Sequence, residues 1–235
     1  MANYSLNIND AISAGWEYAK KHGILIAVIY FVTIMISNLL QNFNTQNFDP
    51  DTYTMLGERI AQGDTEAINR LVELYTNSGS WLAYIAGIIL SIIVNVGLYN
   101  LALGLTNGKY TEVCFDAFKL PLPVYLKVAI VQIVVAILTC IAALFCIIPA
   151  FYVGPRLSQA TFYLLDHPEA GIMDAIQASW KMTQGNVLAL IGFNIIFFFI
   201  FIAGFLCCCV GYYFTLAISL FAATAVYYQL KGNLV

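Results

Sequence analysis

Long apolar runs constrain this chain more than any other feature. Residues 23–40, 81–105, 124–148, 150–165, 187–206 and 210–230 contain only two charged side chains, Lys127 and Arg156. A bilayer core about 30 Å thick takes about 20 apolar residues to cross as a helix. Inside it every peptide group must find its partner within the protein. The runs are continuous, without the two-residue alternation of a membrane β-barrel, so helices are expected. Hydrophobic residues make up 61% of the 235 and charged ones 10%, where soluble domains carry about 25% charged. The expectation is an all-α, polytopic membrane protein with six transmembrane helices, forming one membrane domain over 1–235. A net charge of −3, thinly spread, gives no basis for a nucleic-acid partner.

An internal repeat organises the spans. IMDAIQASW at 172–180 matches INDAISAGW at 8–16, with Ile8/Ile172, Asp10/Asp174, Ala11/Ala175, Ile12/Ile176, Ala14/Ala178 and Trp16/Trp180 coinciding. Each copy precedes a polar break, Lys20-Lys21-His22-Gly23 or Gln184-Gly185-Asn186, and then an apolar run. Ile8, Ile12 and Trp16 form one stripe of an amphipathic helix over residues 1–22. Trp16 and Trp180 are expected as equivalent interface anchors. Asp166, Pro168 and Glu169 have the spacing of a helix start for the second copy. A weaker third copy, Asp116-Ala117-Phe118, lacks the tryptophan and is cut by Pro121 and Pro123. The expected architecture is amphipathic helix, span, span, taken three times in parallel.

Residues 41–80 are the one substantial hydrophilic stretch. Asp49-Pro50-Asp51 signals a helix start, and Asp64 after Gly63 a second one. Ile68, Leu71, Val72 and Tyr75 follow helical spacing. A helical hairpin is expected over the outer end of the bundle, as a lid, a partner surface or a substrate gate. Lys20, Lys21, Lys109, Lys119, Lys127, Lys181 and Lys231 fall on one side, Arg59 and Arg70 on the other. The positive-inside rule then puts both termini in the cytoplasm and the hairpin outside. No cleavage-site pattern follows Lys20-Lys21, so the first span is expected to stay.

Chemistry is sparse. His22 and His167 have no ligand or nucleophile partner at motif spacing, and no carboxylate pair falls within a span. The six cysteines, Cys114, Cys140, Cys146 and Cys207-Cys208-Cys209, show no metal spacing. Adjacent thiols on a helix diverge, so they are read as packing residues. A disulfide from Cys146 to the run is the alternative in an oxidising compartment. No metal, cofactor or enzymatic activity is expected. Gly87, Ser91, Gly97 and Gly104 on span two, and Thr215, Ser219, Ala222 and Ala223 on span six, suit close helix packing. Pro149, Gly154 and Pro155 beside Arg156 predict broken helix geometry, which at membrane depth must be buried or line a cavity. Arg156 is the candidate binding or structural residue, with Asn95 and Asn100 as expected neighbours, because a charge within a span needs compensation.

Residues 149–186 combine a proline after span three, an arginine in span four, an aspartate at its end, and an alanine-rich helix closing in Ser179-Trp180-Lys181 and Gly185-Asn186. This segment resembles the uncharacterised bacterial six-helix integral membrane family related to the membrane domain of glycerophosphoryl diester phosphodiesterases. The resemblance implies a multi-pass protein of the bacterial cytoplasmic membrane with no assigned reaction. No attached soluble phosphodiesterase domain is expected, so that activity is not carried over. The function expected is a scaffold or accessory protein binding membrane lipids, a protein partner or a second copy of itself. The alternative is a small transporter or channel with an anion site near Arg156.

Overall fold

The computed structural model describes residues 5–42, 50–77, 80–145, 147–206 and 210–234. Every regular element among them is helical: α1 (Ile8–Asn42), α2 (Pro50–Ala61), α3 (Thr65–Asn77), α4 (Ser80–Thr106), a 3-10 turn (Phe115–Phe118), α5 (Leu122–Phe145), α6 (Ile147–Leu157), α7 (Ala160–Asp166), α8 (Ile172–Met182), α9 (Val187–Leu206) and α10 (Val210–Lys231). Cys146 and Cys207–Cys209 lie outside the described residues, and with them both the packing reading and the alternative disulfide. Cys114 and Cys140 are free thiols.

Among the described residues, five helices are long and apolar enough to cross a membrane: Ile8–Leu40, Tyr84–Thr106, Leu122–Leu144, Val187–Leu206 and Gly211–Leu234. The expected fourth span, 150–165, is divided between α6 and α7, of 11 and 7 residues. Pro155 lies within α6, where it has no N–H to give. The Ser158 hydroxyl then donates to Pro155 O at 2.8 Å, the carbonyl that the Gln159 N–H would take in a continuing helix. The helix stops there and restarts when Tyr163 N donates to Gln159 O at 3.0 Å.

Two further expectations change. The amphipathic helix over 1–22 and the first span are one helix, α1, because Lys20-Lys21-His22-Gly23 does not interrupt it. Gly23 serves packing there: a Cβ on it would lie 2.9 Å from the Phe214 ring. The helix expected from Asp166 starts instead at Ile172, where Gly171 N–H donates to Asp174 Oδ2 at 3.0 Å.

The chain falls into two compact units, Met1–Tyr30 with Ile93–Val235, and Phe31–Ile92. The second contains the helical hairpin α2–α3. Gly63 turns it with φ +86°. Asp64 caps α3 by accepting Glu66 N–H at 2.9 Å and pairs with Arg59 at 2.6 Å. Leu56 and Ala67 are buried, whereas Ile68 and Val72 of the expected stripe stay exposed.

In the first unit, α10 is the most deeply packed span: 61% of its apolar stretch is buried, against 11% for α5. Three elements dock in related ways. On α1, Gly15 meets Ala222 of α10, where a Cβ would approach to 2.8 Å, and Trp16 packs edge-on against Phe214. The 3-10 turn docks on α4: Phe118 covers Gly97 and Ala117 O accepts from Asn100 Nδ2 at 2.8 Å. α8 docks on α6, with Ser179 Oγ donating to Arg156 O at 2.6 Å and Trp180 edge-on to Tyr152. Ala11, Ala117 and Ala175, the alanines of the three Asp-Ala pairs, are all fully buried.

Candidate functional site

Arg156 reaches the end of α6 with its side chain 5% exposed. Nη2 donates to Trp180 O at 2.7 Å, Nη1 to the Tyr152 hydroxyl at 2.8 Å, and Nε to Thr183 Oγ1 at 3.5 Å. The guanidinium carbon stands 3.8 Å from the centre of the Trp180 ring. A planar cation on an indole face gains electrostatic attraction, about 2 kcal/mol when desolvated. Its fork meets carbonyl and hydroxyl oxygens without needing an anion. The Ser179 hydroxyl donates to Arg156 O at 2.6 Å, and the Thr183 hydroxyl to Ser179 O at 2.7 Å. Arg156 is thus the pin between α6 and α8, and all three hydrogen-bonding nitrogens are engaged by the protein.

The neighbours expected for Arg156 are elsewhere. Asn100, 9% exposed, holds Ala117 O. Asn95 is half-buried on α4 and lines a cavity. Of the anchors, Trp180 is 40% exposed beneath Arg156, and Trp16 is 45% exposed with Lys20 Nζ 5.5 Å from its ring centre. The structure brings Arg156 and Trp180 together. It separates Arg156 from both asparagines because α8 folds back along α6 and takes the guanidinium itself.

The cavity lies within the first unit and measures about 310 Å³. The interruption between α6 and α7 supplies Ser158 and Gln159 to its wall; Asn95 and Tyr99 of α4 and Asn194 of α9 add further polar groups. Phe162, Phe193, Phe197 and Phe201 supply aromatic wall. Among the described residues, no Asp, Glu, Lys, Arg or His lines it. Gln159 is 3% exposed. Its Nε2 donates to Ser158 Oγ at 3.1 Å, while its Oε1 is buried with no hydrogen-bond partner among the described residues. Sequence reading found the broken helix but not Gln159, Tyr99 or Asn194. The available signal was a polar residue set in an apolar run.

One more polar cluster ties the chain's end to α7. Asp166 Oδ2 accepts from Tyr227 Oη at 2.6 Å and Lys231 Nζ at 2.5 Å, with His167 Nδ1 at 3.7 Å. Partial burial pushes the carboxyl up, but the Lys231 and Tyr227 hydrogen bonds outweigh it and hold Asp166 below the usual carboxylate range. Lys127 Nζ, donating to Pro168 O at 2.9 Å and Ala170 O at 3.1 Å, fixes the α7–α8 turn to α5. Among the described residues no group of three His, Cys, Asp or Glu side chains is placed to hold a metal ion.

The arrangement offers a partly polar cavity at a break in a helix, formed near the arginine that pins α6 to α8. Comparison with family models, curated proteins and solved structures finds no match.

Proposed function

We propose that this chain is a lipid-binding scaffold or accessory protein of a bacterial cytoplasmic membrane, and that it carries no catalytic activity. The single observation behind this is the cavity at the α6–α7 break, which has the size of a small ligand site, about 300 Å³ and upward, and walls without charge. Interrupted helices at membrane depth are tolerated where they are buried in protein or line a cavity.

The proposal includes six crossings, with α6 and α7 together forming the fourth, and three parallel units. Supporting the repeat, the Trp16 and Trp180 segments share one exposure pattern. Ala11/Ala175, Gly15/Ser179, Ala19/Thr183 and Ile26/Leu190 are buried; Asp10/Asp174, Trp16/Trp180 and Ile24/Leu188 are exposed. Each copy docks on an even-numbered span: the first on α10, the second on α6, the third on α4. The basic side, with both termini, faces the cytoplasm in this reading, and α2–α3 faces outward as a cap. The resemblance to the bacterial six-helix family belongs to the same proposal. An anion-conducting role near Arg156 is less well supported, since that guanidinium is already held by Tyr152, Trp180 and Thr183.

The test is mass spectrometry of the intact protein released from detergent micelles. Wild type should retain lipid that Ala223→Phe, which fills the cavity, loses by about tenfold, without loss of fold by circular dichroism. Equal retention by both would overturn the cavity as the lipid site.

A further inference from the structure

Resting on that reading, we infer that the cavity selects a neutral amphiphile with a free hydroxyl, which donates its hydrogen to Gln159 Oε1. Three observations lead there. Oε1 is a buried acceptor with no partner, and such a group carries the cost of lost hydration until a donor reaches it. Its own nitrogen is held by Ser158 Oγ, and that hydroxyl is held by Pro155 O. The amide is therefore oriented by the same break that opens the helix, and the side left over is an acceptor. No protein donor among the described residues reaches it, and a ligand hydroxyl can bring the hydrogen.

The walls decide the rest of the chemistry. With no ionisable carboxylate, amine, guanidine or imidazole among the lining side chains, a charged head would be desolvated without a counter-charge, which is strongly unfavourable. An anionic phospholipid head is disfavoured on that ground. The phenylalanines offer an apolar surface for the part of the ligand next to the hydroxyl. A volume of about 310 Å³ holds a glycerol-sized head and the first part of one acyl chain, not a whole two-chain lipid. The hydroxyl could belong to an acylglycerol or to a free polyol, and these are separable by experiment.

Binding is measured on the full chain in detergent micelles with four probes: a monoacylglycerol, the methyl ester of the same fatty acid, phosphatidylglycerol and free glycerol. Wild type should bind the monoacylglycerol about tenfold more tightly than the methyl ester, which lacks a donor. Phosphatidylglycerol should not displace it, and glycerol should bind only weakly. Gln159→Met keeps length and removes the acceptor, so the two neutral probes should become equal. An equal affinity of both for wild type overturns the inference, even if the variant does not fold. A preference that survives in Gln159→Met overturns Gln159 as its origin. Glycerol binding as tightly as the monoacylglycerol moves the ligand class from lipid to polyol and overturns the amphiphile. If no probe binds wild type, and the cavity-filling Ala223→Phe also leaves bound lipid unchanged, the lipid-binding reading falls with it.

Discussion

The two tryptophan-bearing copies begin with nearly the same residues and end as different structures. The first, at 8–16, continues without a break into α1. The second, at 172–180, is a helix of its own, α8, closed before α9 begins. Both keep the same faces buried and exposed. Both set their tryptophan edge-on to an aromatic ring, Phe214 or Tyr152, with a cation over its face, Lys20 or Arg156. What differs is the residue after the tryptophan face ends. Gly185 takes φ +84°, a left-handed conformation that terminates a helix at little cost for glycine. Gly23 remains helical, and the Phe214 ring lies where its side chain would go. The same residue type thus ends one helix and lets the other pack.

The cations separate the copies further, and replacing them gives the largest expected contrast. Arg156→Ala removes a buried cation and leaves Trp180 O without that donor. It should cost about 2–4 kcal/mol, read as a fall in thermal unfolding temperature in detergent. Arg156→Lys should recover only part, lacking the planar fork. Lys20→Ala, at an exposed site, should change stability by less than about 0.5 kcal/mol. Equal losses at both sites would mean that the two copies are held alike.

Gly15 and Ser179 occupy matching buried positions. Gly15→Ala drives a methyl to within 2.8 Å of Ala222, including its backbone, and should cost about 1–3 kcal/mol by overpacking. Ser179→Ala adds no volume and loses one hydrogen bond to Arg156 O, about 1 kcal/mol. Denaturation of each variant checks the order. A harmless Gly15→Ala would show that α1 is free to move away from α10.

Gly185→Ala should cost about 1–2 kcal/mol, the strain of a left-handed residue with a Cβ. Protease cleavage at the α8–α9 turn reports it. An unchanged cleavage rate would mean the turn adapts, as the Gly23 segment does by staying helical.

The smallest effect is the pH dependence of the tie that precedes the second copy. Asp166 is held below its unfolded value by Lys231 and Tyr227, despite the opposing effect of burial. An unfolded aspartate titrates near about 3.9, so its stabilisation is complete above that pH. It is lost as pH falls through the lower folded value. Unfolding temperature in wild type should decline in this acid range more steeply than in Asp166→Asn. Identical acid profiles would remove Asp166 as a contributor.

Sequence by itself determined the helical class, the presence of several membrane-length helices and the helical hairpin. These follow from local patterns: run length fixes what can cross a bilayer, and start signals with helical spacing mark the hairpin. Asp64 was legible as a cap because its acceptor reaches backbone two residues away. Tertiary structure decided whatever depended on a distant neighbour. Phe214 fills the space that a side chain at Gly23 would take, Tyr152, Trp180 and Thr183 hold Arg156 in place of Asn95 and Asn100, and Lys231 turned Asp166 from an expected cap into a tie to α10. Gln159 had no local signature at all. Its unpaired oxygen exists because Pro155 and Ser158 end α6 in a wall shared with α4, α9 and α10, and no single stretch of sequence contains that wall.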